Sequence, residues 1–411
     1  MYKRQLLFRS EFLDRLAGFR FTCDVDAIPE GTVVFANEPL LRVRGPLLQA
    51  QLVESVLLTV VGFQTLVATK AARIVEAAGG GSILEFGLRR AQGPDGALSA
   101  ARAAYIGGVA ATSNVLAGRL FGIPVRGTHA HSWVQVFDDE QRAFDAYADA
   151  QPDNVTLLVD TYDSLIGVAH AIETGRRLQT RGRTLAAIRL DSGDLAYLSI
   201  EARRMLDEAG FADTKIVASN DLDEYTISSL REQGARIDTW GVGTRLDTCF
   251  DQPALGAVYK LTAICQPGGW RYPIKLSEHS AKISIPGVLG VRRFVDGAGL
   301  FRADMIYDED LPPLPDGDVI VDPADALHMR AIDRGWRAQE IVEPAMRSGL
   351  RVGPSPTLAE IRTRARDQVG SLHPAIRRLM NPHIYPVGLE FRLHERRSAL
   401  VLEHRRAQTP A

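Results

Sequence analysis

The sequence predicts an α/β protein built on parallel strands, and three observations lead there. Between residues 110 and 251, short apolar runs alternate with amphipathic stretches of helical period and length. Each run is followed by a polar, charged or glycine cluster, and five such clusters in phase exceed what ordinary polar turns produce. The chain of 411 residues is 45% apolar and 24% charged, an ordinary globular composition with length enough for two or three cores. Repeated β-then-α units imply parallel strands with right-handed crossovers, closed as a barrel or spread as a doubly wound sheet.

The elements follow in order. Residues 20–45 look β-rich, with short strands at 33–35 and 40–43 around Asn37-Glu38-Pro39. Residues 47–78 form the most apolar window, but Glu54, Gln64, Lys70 and Arg73 interrupt it. It reads as one or two buried amphipathic helices rather than a bilayer span. Gly79-Gly80-Gly81 lacks the Lys-Ser/Thr pair of a phosphate loop and reads as a turn. A strand at 83–87 and a helix at 97–105 come next. The predicted parallel strands are 123–126, 155–159, 185–188, 215–218 and 239–242, with helices at 163–177 and 195–208 between them. Residues 257–261 and 272–276 return to β-like sequence. Leu311-Pro312-Pro313-Leu314-Pro315 marks a turn before a mixed C-terminal region.

Charge and cysteine usage narrow the function classes. A net charge of −2 gives no field toward nucleic acid or an anionic membrane. Cys23, Cys249 and Cys265 have neither metal-knuckle nor redox spacing, which fits a reducing compartment. The N-terminus lacks a signal-peptide core. A cytoplasmic enzyme is expected, with no nucleic-acid or membrane partner.

The polar clusters carry the chemistry. Gly127-Thr128-His129-Ala130-His131-Ser132-Trp133 places two imidazoles at a strand's carboxyl end, where α/β folds build sites. A metal hydrolase would need further His ligands at later strand ends; only His170 is present there, inside a predicted helix. His129 is assigned a structural role. Asp160, Asp191, Asp194 and Asp221 form a hard-oxygen set suited to Mg²⁺ held jointly with substrate phosphates. Each could instead cap the following helix, Asp194 most readily. Gly241-Val242-Gly243-Thr244 offers bare backbone N–H groups where a helix begins, a seat for phosphate. Arg89, Arg189 and Arg245 could each grip an anion. Phe86 beside Arg89 either offers an aromatic face to a flat anionic ring or is simply core; the two readings stay open.

Several of these motifs resemble the nicotinate phosphoribosyltransferase family. They are residues 84–96 (Leu84-Glu85-Phe86-Gly87-Leu88-Arg89-Arg90 onward), Tyr105-Ile106-Gly107-Gly108 with Ala111-Thr112-Ser113-Asn114, and Gly127 to Trp133. Residues 189–195, 218–221 and 241–246 continue the series, and Asn381-Pro382-His383 with Tyr385-Pro386-Val387-Gly388 completes it. The resemblance spans residues 12–392. It implies an irregular parallel (β/α) barrel packed against a mixed α/β N-terminal domain. The expected boundaries are 1–108 for that domain, rejoined by about 256–300, then 109–255 for the barrel and 301–411 for a C-terminal extension. The implied reaction joins nicotinate to phosphoribosyl pyrophosphate, giving nicotinate mononucleotide and pyrophosphate, with ATP hydrolysis coupled, in NAD salvage.

The resemblance also assigns residues. His131 aligns with the phosphorylated histidine and, with Asp191 and Arg189, forms the catalytic set. Phe86 falls on the pyridine ring and Arg189 on its carboxylate side, while Arg89 and Asn220 join the substrate-binding set. Asp160 and Asp191 fall near Mg²⁺ and ribose, and Gly241, Gly243 and Thr244 at the 5′-phosphate. Ser113 stands where nicotinamide-using relatives carry an aspartate, which favours the acid substrate. A homodimer is implied. Two departures stand out. The family's opening Thr-Asp-x-Tyr segment is absent from this sequence, and Leu289 occupies a position that is often basic. The alternatives are a nicotinamide-using enzyme and an impaired homologue that only binds ligand.

Overall fold

The computed structural model describes residues 8–277, 283–311 and 319–407. Its centre is a curled six-stranded sheet, hydrogen-bonded in the order Ala111–Thr112, Ser82–Glu85, Thr239–Val242, Lys215–Ser219, Leu185–Leu190, Val155–Leu158. Every pairing in it is parallel. Helices Ser164–Gln179, Leu195–Glu208 and Glu224–Glu232 make the crossovers. All four residues of Val155–Leu158 are buried, as a parallel strand covered on both faces requires, so the sequence reads as a continuous apolar run. Helix starts are set by single side chains: Asp163, Asp194 and Asp223 each accept first-turn N–H groups. The capping role for Asp194 is therefore the one the structure shows.

The barrel begins earlier than its sequence pattern suggested. Ser82–Glu85 pairs along its length with Thr239–Val242, so the boundary lies before residue 82 rather than at 109. The reason is tertiary: this strand's partner lies 157 positions later, at the paired residues Ser82 and Thr239. The predicted strand 123–126 shrinks to one parallel bridge, Thr112 with Val125. The 33–35 and predicted 257–261 and 272–276 strands do not form; the hairpin Ile264–Gln266 with Gly269–Arg271 stands between the latter two. Gly79 ends helix Glu54–Ala78 in the left-handed conformation, so the glycine triplet is a turn.

The N-terminal strands Asp24–Ala27 and Leu41–Arg44 are completed from the far end of the chain, by Glu343–Arg347 and Leu350–Arg351. Asp26 fixes that junction, accepting from Arg42 at 2.8 Å and Arg347 at 2.6 Å. Among the described residues, 256–300 meet the N-terminal segment through side chains: Arg42 donates to the Leu289 carbonyl, Tyr259 to the Ala50 carbonyl and Arg293 to the Val33 carbonyl, and Val295 packs with Val33 and Phe35. Strand Leu289–Val295 instead pairs with Phe301–Asp308 in a second six-stranded sheet, so a boundary at 300 would cut a hairpin. Leu289 itself is buried against Ile306, Leu389 and Leu393. Helix Leu358–Gly370 ties this region to the barrel, because Arg362 donates to the carbonyls of Tyr105, Gly108 and Val109 that end helix Gly93–Ile106.

Helix Glu54–Ala78 is long and apolar enough, by length and composition, to cross a membrane. From Leu66 onward it is core, with Leu66, Val67, Ala71 and Ile74 buried. Its first turns are not buried as expected: Val56 and Val60 are exposed, as are Leu47, Leu48 and Leu52 on the preceding helix Leu47–Leu52.

Arg293 and Asp304 form a bidentate ion pair whose side chains are wholly buried, with Tyr385 donating to Asp304 at 2.8 Å. Arg293→Ala leaves a buried charge without its partner and should destabilise the fold by about 3–5 kcal/mol. Arg204→Ala, which removes surface pairs, should change it by less than about 1 kcal/mol. Denaturant unfolding of both variants measures the contrast; equal effects would contradict the buried-pair account.

Candidate active site

Parallel strands deliver their carboxyl ends to one side of the sheet, and five of those ends meet. Arg189, near the end of Leu185–Leu190, is the hub. Its Nε donates to Ser219 Oγ at 2.8 Å, its Nη1 to Thr128 Oγ1 at 2.8 Å, and its Nη2 to Asp191 Oδ1 at 2.9 Å. The guanidinium carbon stands 5.3 Å from the Phe86 ring centroid. A guanidinium has five N–H donors, so two remain for an anion lying over Phe86.

Asp191 is held from both sides. Ser219 Oγ and Arg189 donate to its side chain, and its own N–H donates to Asp160 Oδ2 at 2.9 Å. Burial raises its pKa, but the Arg189 charge and these bonds outweigh burial and hold it below the usual carboxylate value. Asp160 Oδ2 also accepts from Ser192 Oγ at 2.6 Å, whereas Asp160 Oδ1 is buried and has no hydrogen-bond partner.

His131 opens the helix His131–Gln135 and is partly exposed. Its Nδ1 lies 3.3 Å from Thr161 Oγ1, which leaves Nε2 facing the carboxylates, 3.6 Å from Asp191 Oδ2 and 4.0 Å from Asp160 Oδ1. The imidazole, the two aspartates and Arg189 thus share one cluster, and a Mg²⁺ ion suits its donor set: an unpartnered buried carboxylate oxygen beside a second carboxylate.

His129 is different. It is buried, and its Nε2 accepts the Leu158 N–H at 3.1 Å. That bond bridges the seam of the curled sheet, between the chain leaving Val125 and the edge strand Val155–Leu158. Tyr147 packs edge-on against its ring at 4.8 Å. Burial pushes its pKa down to about 4, so the ring is neutral at physiological pH.

The remaining candidates sit around this cluster. Phe86 follows Ser82–Glu85 and donates its N–H to the Val242 carbonyl at 2.8 Å. A Cβ on Gly241 would come within 2.7 Å of the Phe86 ring, so glycine there is what seats the ring. Gly243 and Thr244 begin the short turn Thr244–Asp247 beside it. Ser113 is half-buried next to the same strand, its N–H donated to the Glu85 carbonyl at 2.9 Å. Asn220 and Asp221 are exposed just past Ser219 with left-handed φ of 102° and 37°, a strained pair of the kind found at functional turns. Arg89 is exposed and outside the cluster; the cation against Phe86 is Arg189, not Arg89. Arg245 stacks on Phe250 at 4.2 Å and faces Asp251. His170 pairs with Glu140 at 2.9 Å. Thr128 and Ser219 stand in strand-end clusters of the sequence but were given no role there. Their only signal is position, directly before His129 and directly before Asn220.

Comparison with known proteins bears on all of this geometry. Residues 82–275 match the model of the nicotinate phosphoribosyltransferase (NAPRTase) family, residues 1–62 that of its N-terminal domain and residues 290–397 that of its C-terminal domain. A nicotinate phosphoribosyltransferase of Bacillus subtilis (strain 168) is 46% identical over 367 residues, 88% of this chain and 74% of that one. One of Mycobacterium tuberculosis (strain ATCC 25618 / H37Rv) is 42% identical over 390 residues, 94% and 77% of the two chains. The crystal structure of human nicotinic acid phosphoribosyltransferase superposes with a TM-score of 0.84 at 31% identity, covering 97% of this chain and 87% of that one.

Because folding lowers the His129 pKa from 6.5, neutral His129 stabilises the fold above that pH, and this contribution is lost as pH falls toward 4. The full loss is on the order of 3 kcal/mol. His129→Gln, whose amide oxygen can accept the Leu158 N–H without titrating, should flatten the decline in unfolding free energy across that window. An unchanged slope would remove His129 from the seam.

Proposed function

The chain belongs to the nicotinate phosphoribosyltransferase family, and from that membership and the converging strand ends we propose that it transfers phosphoribosyl from phosphoribosyl pyrophosphate to nicotinate. The products are nicotinate mononucleotide and pyrophosphate, and ATP hydrolysis is coupled through His131. The observation that carries this reading is Arg189, held by three strand-end partners while facing Phe86. A flat anionic ring laid on Phe86 would meet the two remaining guanidinium N–H groups with its carboxylate.

In the transfer, the bond from the ribose C1 to the pyrophosphate oxygen breaks and a bond from C1 to the pyridine nitrogen forms; pyrophosphate leaves with the electron pair. Positive charge builds on the ribose carbon and oxygen. Asp191, kept ionised by Arg189, and Asp160 supply fixed negative charge nearby, and the backbone of Gly243 and Thr244 would seat the 5′-phosphate. Asp160 and Asp191 would hold a Mg²⁺ ion, which when bound would supply positive charge to stabilise the leaving anion. Phosphorylation at the His131 Nε2 would set negative charge against two carboxylates, which supports a requirement for that cation.

Ser113 favours the acid over the amide, since an aspartate there would repel a carboxylate. The apolar residues exposed on Leu47–Leu52 and at Val56 and Val60, with Val115, Leu116 and Leu120 on helix Val115–Phe121, support a homodimer. Three free cysteines accord with a cytoplasmic location.

Steady-state assay of purified protein should show at least tenfold preference for nicotinate over nicotinamide in kcat/KM, and Ser113→Asp should lower kcat/KM for nicotinate by tenfold or more, about 1.4 kcal/mol. Equal use of both substrates would sink the assignment of Ser113. His131→Ala should abolish ATP hydrolysis coupled to synthesis and the acid-labile phosphate incorporated from labelled ATP. Wild-type stoichiometry in that variant would place the phosphoryl group elsewhere.

A further inference from the structure

On either side of Phe86 in the chain, Glu85 and the Gly87 backbone meet a second carboxyl, Asp247, and the reaction as described does not use this pair. Glu85, the last residue of Ser82–Glu85, is 1% exposed, and Asp247, the last residue of Thr244–Asp247, is fully buried. Glu85 is well supplied with donors: the Gly87 N–H bonds to its Oε1 and the Thr112 hydroxyl to its Oε2. Asp247 is not, since neither of its oxygens meets a donor. Its side chain instead lies within hydrogen-bonding reach of Glu85 and against the Gly87 backbone. A Cβ on Gly87 would stand 2.2 Å from Asp247 Cγ, so only glycine lets the carboxyl in.

Two ionised carboxylates cannot share such a site. Among the described residues neither makes an ion pair with Lys, Arg or His. The Cys249 thiol, two residues after Asp247, lies near it, and the charges of the Lys70 ammonium on helix Glu54–Ala78 and of Asp251 face that thiol. Lys70 is already committed to Glu224 at 2.6 Å and to Asp251. Desolvation and mutual repulsion therefore keep a proton in the pair. Burial, then the Glu85 charge, raises Asp247 well above its ordinary value, and burial raises Glu85. A protonated Asp247 donating to Glu85 gives one of its two orphaned oxygens a partner and removes the repulsion between the carboxylates.

We propose that Glu85 and Asp247 share one proton and that the resulting hydrogen bond fixes the spacing between the Phe86 ring seat and the Gly241–Thr244 loop. They are positioning residues, since neither touches the open face of the site. The bond joins the end of one strand to the turn that follows another, directly behind the two places where pyridine and 5′-phosphate would lie. Phe86 donating to Val242, and the close pass of Gly243 over the Phe86 carbonyl, transmit the constraint. Raising pH until the pair loses its proton puts two like charges in contact and pushes the ring seat and the loop apart. Both substrates should then bind less well together, which gives an alkaline limb in kcat/KM that belongs to neither substrate.

The inference rests on the transferase reading for its kinetic arm only. Difference infrared spectra of the 411-residue chain without substrate should show that both Asp247→Asn and Glu85→Gln lose one protonated-carboxyl C=O component at neutral pH, while the component from Glu38, whose carboxyl burial pushes up to about 10, stays. Kinetically, Asp247→Asn donates its amide N–H at every pH and should move the alkaline limb of kcat/KM upward, whereas Asp247→Leu should raise KM for both substrates at least tenfold with less change in kcat. Glu85→Gln, which loses an acceptor for Gly87 or Thr112, serves if Asp247→Leu fails to unfold cooperatively, and should raise both KM values in the same way. A protonated-carboxyl spectrum unchanged in both conservative variants, or an alkaline limb unmoved in Asp247→Asn, overturns the shared proton. A wild-type protein that turns over no nicotinate overturns the function instead and leaves the infrared result to decide the pair.

Discussion

The mouth of the barrel depends on one guanidinium. Arg189 bonds to its own strand's Asp191, to Ser219 on the neighbouring strand and to Thr128 in the loop that crosses the seam, and it faces Phe86 from a fourth segment. These groups arrive from positions spread over more than a hundred residues, and no backbone hydrogen bond joins all of them. A planar, permanently charged fork can hold several acceptors at fixed angles, which a flexible ammonium cannot. The same charge keeps Asp191 ionised, so geometry and electrostatics of the cluster have one source.

Around that hub, buried polar groups do what the backbone leaves undone. The curled sheet is not continuously hydrogen-bonded, and a neutral imidazole from His129 takes the Leu158 N–H at the gap. Between Ser82–Glu85 and Thr239–Val242 the strands do pair, yet their ends diverge into different loops, and there the carboxyl pair takes over. An unmet donor or acceptor in such surroundings costs about 1–3 kcal/mol, which is why each of these groups has a specific partner or requires a proton.

The two histidines of one motif show how little the residue type decides. His129 lies under Tyr147 and Phe144, where burial lowers its pKa to about 4, while His131, two residues on, is partly exposed with Nε2 toward Asp160 and Asp191. Ala130 between them is extended and His131 begins the helix His131–Gln135, and this change of backbone direction sends one ring into the core and the next toward the mouth. The electrostatic difference follows from that turn of the chain.

The parallel strands at 155–158, 185–190, 215–219 and 239–242, the helices between them, and the polar clusters at their ends were legible in the sequence, because period and burial of each are local properties. Motif by motif, the family was legible too. What the sequence could not hold was partnership across distance. Ser82–Glu85 joined the barrel through a strand far downstream, the N-terminal sheet waited for residues 343–351, Arg189 rather than Arg89 met Phe86, and Glu85 met Asp247. Local pattern is written by how each segment meets water; which two segments meet each other is settled only when the whole chain packs, since the free energy of those contacts exists only in the closed fold.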